Sequence, residues 1–342
     1  MKFSFDDDQN DVRLAVRDAL RERIPSSAVR KAWTAAHDHD GVAWSVLQEL
    51  GLPGVIVDEA HRGAGGGIID VALSLEECGY FAVPEPVVET IVMAPIALAL
   101  HGSAEQQDEW LPRLASGAAI VATCLGDTPI VADGIRADAI LVRQGTQLHW
   151  VPRAKVHATA VNGTDPSRRL AVCTFDLDEG TQLTQDASAL QHIMDIGAAA
   201  TAAVLVGVAA RLIDMTREHL LERKQFDRVI GSFQALKHRL ADVAVQTEAA
   251  RSLTWYALYT LSEGLPEASI AASHAKAAAN DAASKASHAS LQLHGGIGFT
   301  WDHDLHLWLQ RGRSLESAFG STAAHRERTG ASLLFEGSAH DA

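Results

Sequence analysis

Cysteine is scarce in this chain of 342 residues, which has three, Cys78, Cys124 and Cys173, far apart in the sequence. An odd, dispersed set argues against a disulfide framework and is typical of the reducing cytoplasm. Long apolar runs are lacking too, since no stretch reaches the roughly 18 uninterrupted apolar residues of a membrane span. The opening MKFSFDDDQNDV is acidic and lacks the apolar centre of a secretion signal. We therefore expect a cytoplasmic protein that is not inserted in a membrane.

Positive charge is also in short supply: 29 Lys and Arg residues stand against 43 Asp and Glu residues, a formal net charge of −14. Such a chain repels the phosphate backbone of nucleic acid, so we expect no nucleic-acid partner. The local cluster RKQFDR, residues 223–228, can still bind a small phosphorylated ligand. With 47% hydrophobic and 21% charged residues, the composition is otherwise that of a globular protein with two or three domains.

The patterns of residues 1–116 are helical. Apolar residues recur with helical spacing in DDQNDVRLAVRDALRERI, and GVAWSVLQELGL ends at Gly51, which suits the left-handed position after a helix. IIDVALSLEECGYF and EQQDEWLPRLASG continue the pattern. Over residues 117–188 it changes to short runs rich in Val, Ile, Leu and Thr: AIVATCLG, AILVRQ, QLHWVP and RLAVCTFDL. These strand and turn signals predict a small β domain.

Residues 189–342 return to helical patterns. One long helix face is predicted from residues at alternating spacings of four and three: Leu236, Leu240, Val243, Thr247, Ala250, Thr254, Ala257 and Leu261. A second helix, rich in Ala and Ser, is predicted from Pro266 to Gly295. We predict an α+β fold that is mostly α, with an N-terminal helical domain (1–116), a truncated middle β domain (117–188) and a C-terminal four-helix bundle (189–342) that carries ligand-binding and oligomerisation surfaces.

Three segments resemble the acyl-CoA dehydrogenase family, in the order and at about the spacing found there. They are HGSAEQQDEWLPRLASG, LERKQFDRVIGSFQALKHRLADV and LQLHGGIGFTWDHDLHLWLQRGR, and the likeness covers most of the chain. The resemblance implies the family's fold of helical domain, β domain and helical bundle. It also implies FAD as cofactor, an acyl-CoA thioester as substrate and an electron-transfer flavoprotein as electron acceptor.

In that family, residues of the second and third segments reach across a subunit interface to hold the FAD of a neighbouring subunit. The matching positions here are Arg223, Gln225, Phe226, Phe233, Gln234, Gln292, Gly295 and Gly296. The residue types suit the role, because an arginine forks onto pyrophosphate, amides bond phosphate oxygens and ring edges, and glycines allow close backbone approach. The alternative is a surface ion pair at Arg223 and a simple helix end at Gly295.

The carboxylate that removes the Cα proton in the family is missing from both of its usual positions. Most members carry Glu in a YEGT loop after an RDAR-like segment, and aligning QRGR with that segment places Phe319 there. Another branch carries the acid on the first bundle helix, where this chain has Gly197, and some relatives carry it at the position of Val204. We therefore predict no catalytic residue in this chain.

Two neighbouring acids remain open as substitutes. A slip of two residues in the alignment makes Asp195 a base, and a slip of three does the same for Glu316. The alternative interpretation is that Asp195 caps the start of a helix and that Glu316 is solvated.

The β domain departs from the family as well. The family's TEPGAGSD-like segment and W-I-T/S-N-like strand embrace the flavin ring, whereas this chain has ATCLGDTPIVADG at the corresponding start. The losses fall on the flavin-facing half of the site and spare the cross-subunit half.

This uneven loss resembles heteromeric members of the family, the α2β2 flavoenzymes of bacterial steroid (cholesterol) side-chain catabolism. They pair a full-length subunit with a shorter one that lacks the base, and GGIGFTWDHDLHLWL and DPSRRLA resemble that branch. We predict such a short subunit, acting on a steroid side-chain or fatty acyl-CoA in a heterotetramer with a full-length partner that supplies the Glu. A self-contained homo-oligomeric acyl-CoA dehydrogenase and a non-catalytic CoA-ester-binding or scaffold protein remain open alternatives.

Histidines in the last third of the chain do not predict a metal site. His303 and His306 share a helix face beside Asp304 but have no convincing third ligand, so we predict no metal. The remaining candidates are interpreted as packing or surface residues: His274, His288 and His294. Cys124 is interpreted as a small buried residue.

Overall fold

The computed structural model describes residues 5–35 and 41–336. Its N-terminal part is helical, as predicted. The helices are α1 (Asp7–Arg23), α2 (Ser26–Thr34), α3 (Val42–Glu49), α4 (Ala72–Tyr80), a π-helix (Val88–Met93), α5 (Ala94–His101) and α6 (Ala104–Ala115). Gly51 follows α3 with φ +68°, which confirms its predicted left-handed role.

The middle part folds into two small sheets. The strands are β1 (Val121–Cys124), β2 (Ile130–Val131), β3 (Ala139–Gln144), β4 (Gln147–Pro152), β5 (Val156–Ala160), β6 (Ala171–Phe175) and β7 (Gln182–Thr184). One sheet has the order β1-β3-β4-β7, with β1 and β3 parallel, and the other has the antiparallel order β2-β6-β5. The four apolar strands match the predicted runs. The sequence did not indicate β2, β5 and β7, because they are short or largely polar and exposed.

The last part contains three long helices and two shorter ones. They are α7 (Ala187–Glu222), α8 (Gln234–Ser262), α9 (Ala268–His294), α10 (Leu305–Leu315) and α11 (Thr322–Glu336), with a hairpin of β8 (Lys224–Gln225) and β9 (Arg228–Val229) between α7 and α8. The long helices pack on one another, α10 packs on α7 and α9, and α11 packs on α9. The predicted mostly helical fold with a small β region is confirmed.

The predicted face of α8 is buried over most of its length, from Val243 to Leu261. The Leu236 and Leu240 positions at its start are only partly buried. Opposite it, α9 presents alanines that are 0–4% exposed, such as Ala272, Ala279 and Ala286. Because alanine side chains are short, neighbouring helix axes can approach closely.

Helix α7 is long and apolar enough, by length and composition alone, to cross a membrane, with a mean hydropathy of 2.0 over its most apolar window. However, 83% of that window is buried inside the protein, where α4, α8 and α9 surround it. Its apolar composition is therefore explained by its place in the core.

Two glycines let α7 cross α4 at very close range. A Cβ atom on Gly79 would lie 1.9 Å from the carbonyl oxygen of Val204, and one on Gly207 would lie 1.9 Å from that of Glu76. No other residue fits at either position, so the N-terminal helices and the bundle are tightly joined.

Arg311 fixes the end of α10 against both other parts of the chain. Its guanidinium donates to Asp165 Oδ2 (2.5 Å), to the carbonyl of Val83 (2.6 Å) and to Ser167 Oγ (2.8 Å). Burial raises the pKa of Asp165, but the ion pair with Arg311 outweighs it and holds that pKa below its usual value. This contact places the turn after α10 beside the β region.

Candidate active site

The two positions at which the missing base was sought lie against each other. Gly197 is in the buried part of α7, and Phe319 is in the turn between α10 and α11. A Cβ atom at position 197 would lie 2.8 Å from Cδ1 of Phe319 and 2.9 Å from Sδ of Met93, too close for a side chain. The Phe319 ring therefore fills the space beside Gly197, and an acid at position 197 would displace it.

Phe319 is held in a left-handed turn, with φ +54°, an unfavourable region for a bulky residue. Its carbonyl accepts a hydrogen bond from Nε2 of His325 (3.0 Å), so this nitrogen carries the proton. Nδ1 of the same ring then accepts from the Ser273 hydroxyl (3.2 Å). Burial lowers the pKa of His325 to about 4, which keeps the ring neutral near pH 7.

A buried lysine on α9 supports the same turn. Nζ of Lys276 donates to Oδ1 of Asn280 (2.7 Å) and to the carbonyls of Leu315 and Glu316 (3.2 Å each). The residue is 0% exposed, and burial lowers its pKa to about 7. Lys276 thus holds the backbone that leads into Phe319.

The depressed pKa of Lys276 predicts a pH-dependent stability. Between about pH 7 and pH 10 the unfolded chain holds a proton on this lysine that the folded chain has lost, because the pKa falls from 10.5 to about 7 on folding. The free energy of unfolding should therefore rise with pH, by up to about 1.4 kcal/mol per pH unit from this group. Lys276→Met should remove that rise in urea unfolding measured from about pH 7 to pH 9.

Lys285→Met is the matched control for this experiment, since Lys285 is an exposed lysine on the same helix. The buried thiol of Cys78 has the opposite effect on the pH dependence. Burial raises its pKa to about 12, so ionisation of this thiol in the unfolded chain lowers the free energy of unfolding as pH rises. An unchanged pH slope in Lys276→Met would show that this lysine titrates normally.

Asp195 caps no helix start, so that interpretation was wrong; the cap of α7 is Asp186, which precedes its first turn. Asp195 lies inside α7 at 3% exposure. It accepts hydrogen bonds from three side chains: Gln191 (3.0 Å), Ser269 (2.7 Å) and Arg328 (2.7 Å). Its carboxylate is fixed between α7, α9 and α11.

Glu316, the other possible substitute, directly follows α10 and is neither buried nor fully solvated. Its carboxylate forms an ion pair with Arg313, and its side chain is 22% exposed. Val204 is buried in α7 at its crossing with α4. Neither Asp195 nor Glu316 belongs to the lining of the cavity beside Phe319.

That cavity has a volume of about 450 Å³ and lies between the β region, the π-helix and the turn after α10. Cys124 at the end of β1 lines it, and burial raises the pKa of this thiol to about 11, so it is neutral and unreactive. Met194 of α7 and Phe319 form an apolar part of the cavity wall. Thus the cavity wall is apolar where a base was expected.

The cavity does contain an acid that the sequence reasoning missed. Glu89 of the π-helix lines it, and burial raises the pKa of this carboxyl. The available signal was a single acid within the apolar run VVETIVMAPIALAL. A π-helix is uncommon and is often associated with a functional site.

The predicted cofactor residues lie elsewhere, at the far ends of α7 and α9. Arg223, Gln225 and Phe226 belong to the exposed β8–β9 hairpin. Phe226 lies 6.1 Å from Phe233, centroid to centroid, and Gln234 is the first residue of α8. These five residues form one continuous surface.

The third predicted segment reaches this surface through a pair of stacked histidines. His219, in the last turn of α7, stacks on His294, the last residue of α9, with ring centroids 4.5 Å apart. Gln292 precedes this residue, and Gly295 and Gly296 follow it. A Cβ atom would meet nothing within 4 Å at either glycine, so the backbone is open to a ligand there.

The histidines of α9 differ in burial, since His294 is buried and His288 is exposed. Burial lowers the pKa of His294 to about 4, and its ring also contacts His303, 4.8 Å between centroids. His288 is exposed and bonds the carbonyl of Ser284, four residues earlier in the helix. Across residues 5–35 and 41–336, no three His, Cys, Asp or Glu side chains are arranged to hold a metal ion.

Basic side chains around the hairpin have no acidic partners. Arg223, Lys224 and Arg228 form no ion pair with any residue that the structure describes, although Arg228 lies over the Phe233 ring at 4.0 Å. In a chain of net charge −14, an uncompensated basic cluster favours an anionic ligand.

Several large apolar side chains of the last part of the chain are exposed. Phe226 is 86% exposed, Phe299 73% and Trp301 66%. Exposed apolar patches of this kind mark interaction surfaces. These exposed side chains make this part of the surface suited to contact with a second molecule.

Family comparison agrees with this geometry. A profile described as "Acyl-CoA dehydrogenase, N-terminal domain" matches residues 6–118, and "Acyl-CoA dehydrogenase, C-terminal domain" matches residues 187–334. The chain belongs to the acyl-CoA dehydrogenase family. This acyl-CoA dehydrogenase is 36% identical over 305 residues to acyl-CoA dehydrogenase IpdE2 of Mycobacterium tuberculosis, covering 86% of this chain and 90% of the relative.

Two solved complexes resemble this acyl-CoA dehydrogenase along its whole length. The ChsE4-ChsE5 complex from Mycobacterium tuberculosis matches with a TM-score of 0.89 and 25% identity, covering 98% of this chain and 99% of the other. A variant of the Tcur3481-Tcur3483 steroid ACAD matches with a TM-score of 0.86 and 28% identity, covering 97% and 98%.

Acyl-CoA dehydrogenases are oxidoreductases that act on acyl-CoA and use FAD. The residues of this chain fit that cofactor, because the free basic groups of the hairpin suit a pyrophosphate and the open backbone at Gly295 and Gly296 allows its close approach. The structure thus places the predicted FAD residues together at one surface.

Proposed function

We propose that this chain is the base-lacking subunit of a heteromeric, FAD-dependent acyl-CoA dehydrogenase. The complex desaturates the Cα–Cβ bond of a steroid side-chain or fatty acyl-CoA. This chain contributes the cross-subunit half of the FAD site, and a full-length partner contributes the catalytic Glu in an α2β2 heterotetramer. Electrons pass from the complex to an electron-transfer flavoprotein.

The observation that carries the proposal is the contact of Phe319 with Gly197. A carboxylate must touch the Cα proton to remove it, and both base positions of the family are occupied here by groups that bind no proton. The ring also fills the space into which an acid at either position would extend. We conclude that the base comes from another chain.

The division of roles follows from the surface of this chain. FAD supplies the acceptor for the hydride that leaves Cβ. Arg223 and the other basic residues of the hairpin would hold the phosphates, and the exposed Phe226 ring would cover part of the cofactor and exclude water. All of these groups face outward, where they can serve only a cofactor bound to a neighbour.

The heteromeric relatives support the same assignment. Each of the two solved complexes is named for two different proteins, and one of the complexes is described as a steroid ACAD. The similarity of this chain to one chain of each complex extends over nearly its full length. We infer a comparable pairing here.

Two alternatives receive less support. A self-contained enzyme would need Asp195 or Glu316 as base, but Asp195 is held by three donors and Glu316 pairs with Arg313. In a scaffold that binds no flavin, the unpaired basic cluster and the open glycines beside His294 would have no ligand.

Co-expression with a full-length acyl-CoA dehydrogenase that carries Glu at either base position tests the proposal. We expect the two chains to co-purify in equal amounts. The complex should hold fewer FAD molecules than chains, because one half-site from this chain and one from the partner together make one complete FAD site. Mass determination gives the subunit ratio, and flavin absorbance gives the FAD content. One FAD on every copy of this chain purified without a partner would overturn the heteromer.

A further inference from the structure

Two ionisable side chains of the cavity beside Phe319 form no ion pair with any residue that the structure describes. Glu89 forms no ion pair and accepts no side-chain hydrogen bond from any residue in the ranges 5–35 and 41–336. Arg168 donates one hydrogen bond to the carbonyl of Ser314 (2.8 Å), but likewise has no ion pair within those ranges. Arg168 acts on Glu89 only through space, since no ion pair joins the two.

The other acids near the cavity are already engaged. Asp165 pairs with Arg311 and accepts a hydrogen bond from the Ser167 hydroxyl, both at 2.5 Å. The Arg313 side chain at the rim is paired with Glu316. Arg168 is therefore the cation that remains available to a ligand, and Glu89 is the available acid.

The rest of the lining is suited to an apolar body. Leu125, Leu170, Met194 and Phe319 face the same space, and its volume of about 450 Å³ lies within the range of small-molecule sites. The combination of two polar anchors with an apolar wall is typical of such sites.

We propose that this cavity binds a small organic carboxylate with an apolar body, its carboxylate lying between Arg168 and Glu89. Arg168 donates to one carboxylate oxygen, and the carboxyl O–H of Glu89 donates a hydrogen bond to the other when Glu89 carries its proton. The apolar body lies against Phe319 and Met194. The lining of this site comes from the present chain, and a carboxylate ligand there goes beyond the proposed function, whose FAD surface lies at the opposite end of the bundle.

Burial raises the pKa of Glu89, which favours the protonated carboxyl that can donate. Arg168 and Arg311 lower that pKa, Asp133 raises it, and the backbone N–H of Glu89 lowers it. The thiol of Cys124, the other titratable group on this wall, stays neutral. Binding should therefore weaken as pH rises and Glu89 loses its proton.

Two sources share this chemistry: a free acid and the acid end of an acyl-CoA. Calorimetric titration of the purified full chain with cyclohexanecarboxylate and with adipoyl-CoA separates them. The controls are cyclohexanecarboxamide and hexanoyl-CoA, which have similar bodies without the charge. We expect the charged member of at least one pair to bind about 10- to 100-fold more tightly than its control. Equal binding within both pairs would overturn the proposal.

Variants locate the site. Arg168→Gln should weaken binding of the charged probe about 10- to 100-fold, and Arg168→Lys should restore much of it. Glu89→Gln keeps a donor and should retain affinity within a few-fold, but lose the pH dependence of the unaltered chain. Arg21→Gln, an exposed arginine on α1, should change nothing. Unaltered affinity in Arg168→Gln, or a persisting pH dependence in Glu89→Gln, would remove the respective residue from the site.

The outcome is independent of the heteromer. FAD content and subunit ratio of the co-expressed complex are measured separately, so failure of carboxylate binding leaves the heteromeric assignment intact. Conversely, a flavin-loaded lone chain would overturn the heteromer without affecting this site.

Discussion

The purified chain alone is expected to oxidise acyl-CoA at least 100-fold more slowly than its complex with the full-length partner. A positioned general base contributes about 10²–10⁴ to the rate of proton transfer, and this chain has Phe319 and Gly197 at the base positions. Loss of complete FAD binding lowers the rate further. The measurement is acyl-CoA-dependent reduction of an artificial electron acceptor by equal amounts of lone chain and complex.

Two variants make this result specific. Glu→Gln at the partner's base should abolish the activity of the complex, because this chain carries Phe319 and Gly197, and no carboxylate, at the base positions of the family. Phe319→Glu in the lone chain should not restore turnover, because the flavin-ring segments of the family's β domain are also missing from this chain. Normal turnover by the lone chain that disappears in Asp195→Asn or Glu316→Gln would instead establish a self-contained enzyme.

Arg223→Ala is expected to weaken FAD binding by the complex about 10- to 100-fold. The arginine forms no ion pair within the described chain, so its removal leaves no buried acid unpaired and should not unfold the protein. What is lost is a charge-assisted hydrogen bond to a phosphate that becomes desolvated in the assembled complex. Fluorescence titration of the flavin-free complex with FAD measures the dissociation constant.

Arg217→Ala is the matched control for Arg223→Ala. Arg217 lies in the same end of α7 and is 63% exposed, but its guanidinium pairs with Asp214 at 3.3 Å. Arg223→Lys should keep part of the affinity, because the charge remains while the fork is lost. Equal FAD affinity in Arg223→Ala and in the unaltered complex would mean that Arg223 is a surface residue.

Much of the architecture follows from local patterns. The α8 face, the end of α3 at Gly51 and the end of α9 before Gly295 depend on residues close in sequence, so periodicity and glycine placement predict them. Phe319 and Gly197 were found from the segments in which they stand, and their assignment to the base positions of the family stays a prediction. Strands β5 and β7 were not readable, because their sequences VHATA and QLT are short and largely polar, so apolar alternation does not mark them.

The sequence by itself determined the family, the order of the helical, β and helical parts, and the absence of an acid at two positions. Only the tertiary structure decided what those positions contact: the Phe319 ring against Gly197, Asp195 fixed by Arg328 from α11, and Glu89 in the wall of the cavity. Helix and strand signals depend on spacing within one segment. Which side chains meet across segments depends on how the core packs, and in this protein α7 brings residues more than a hundred positions apart into contact.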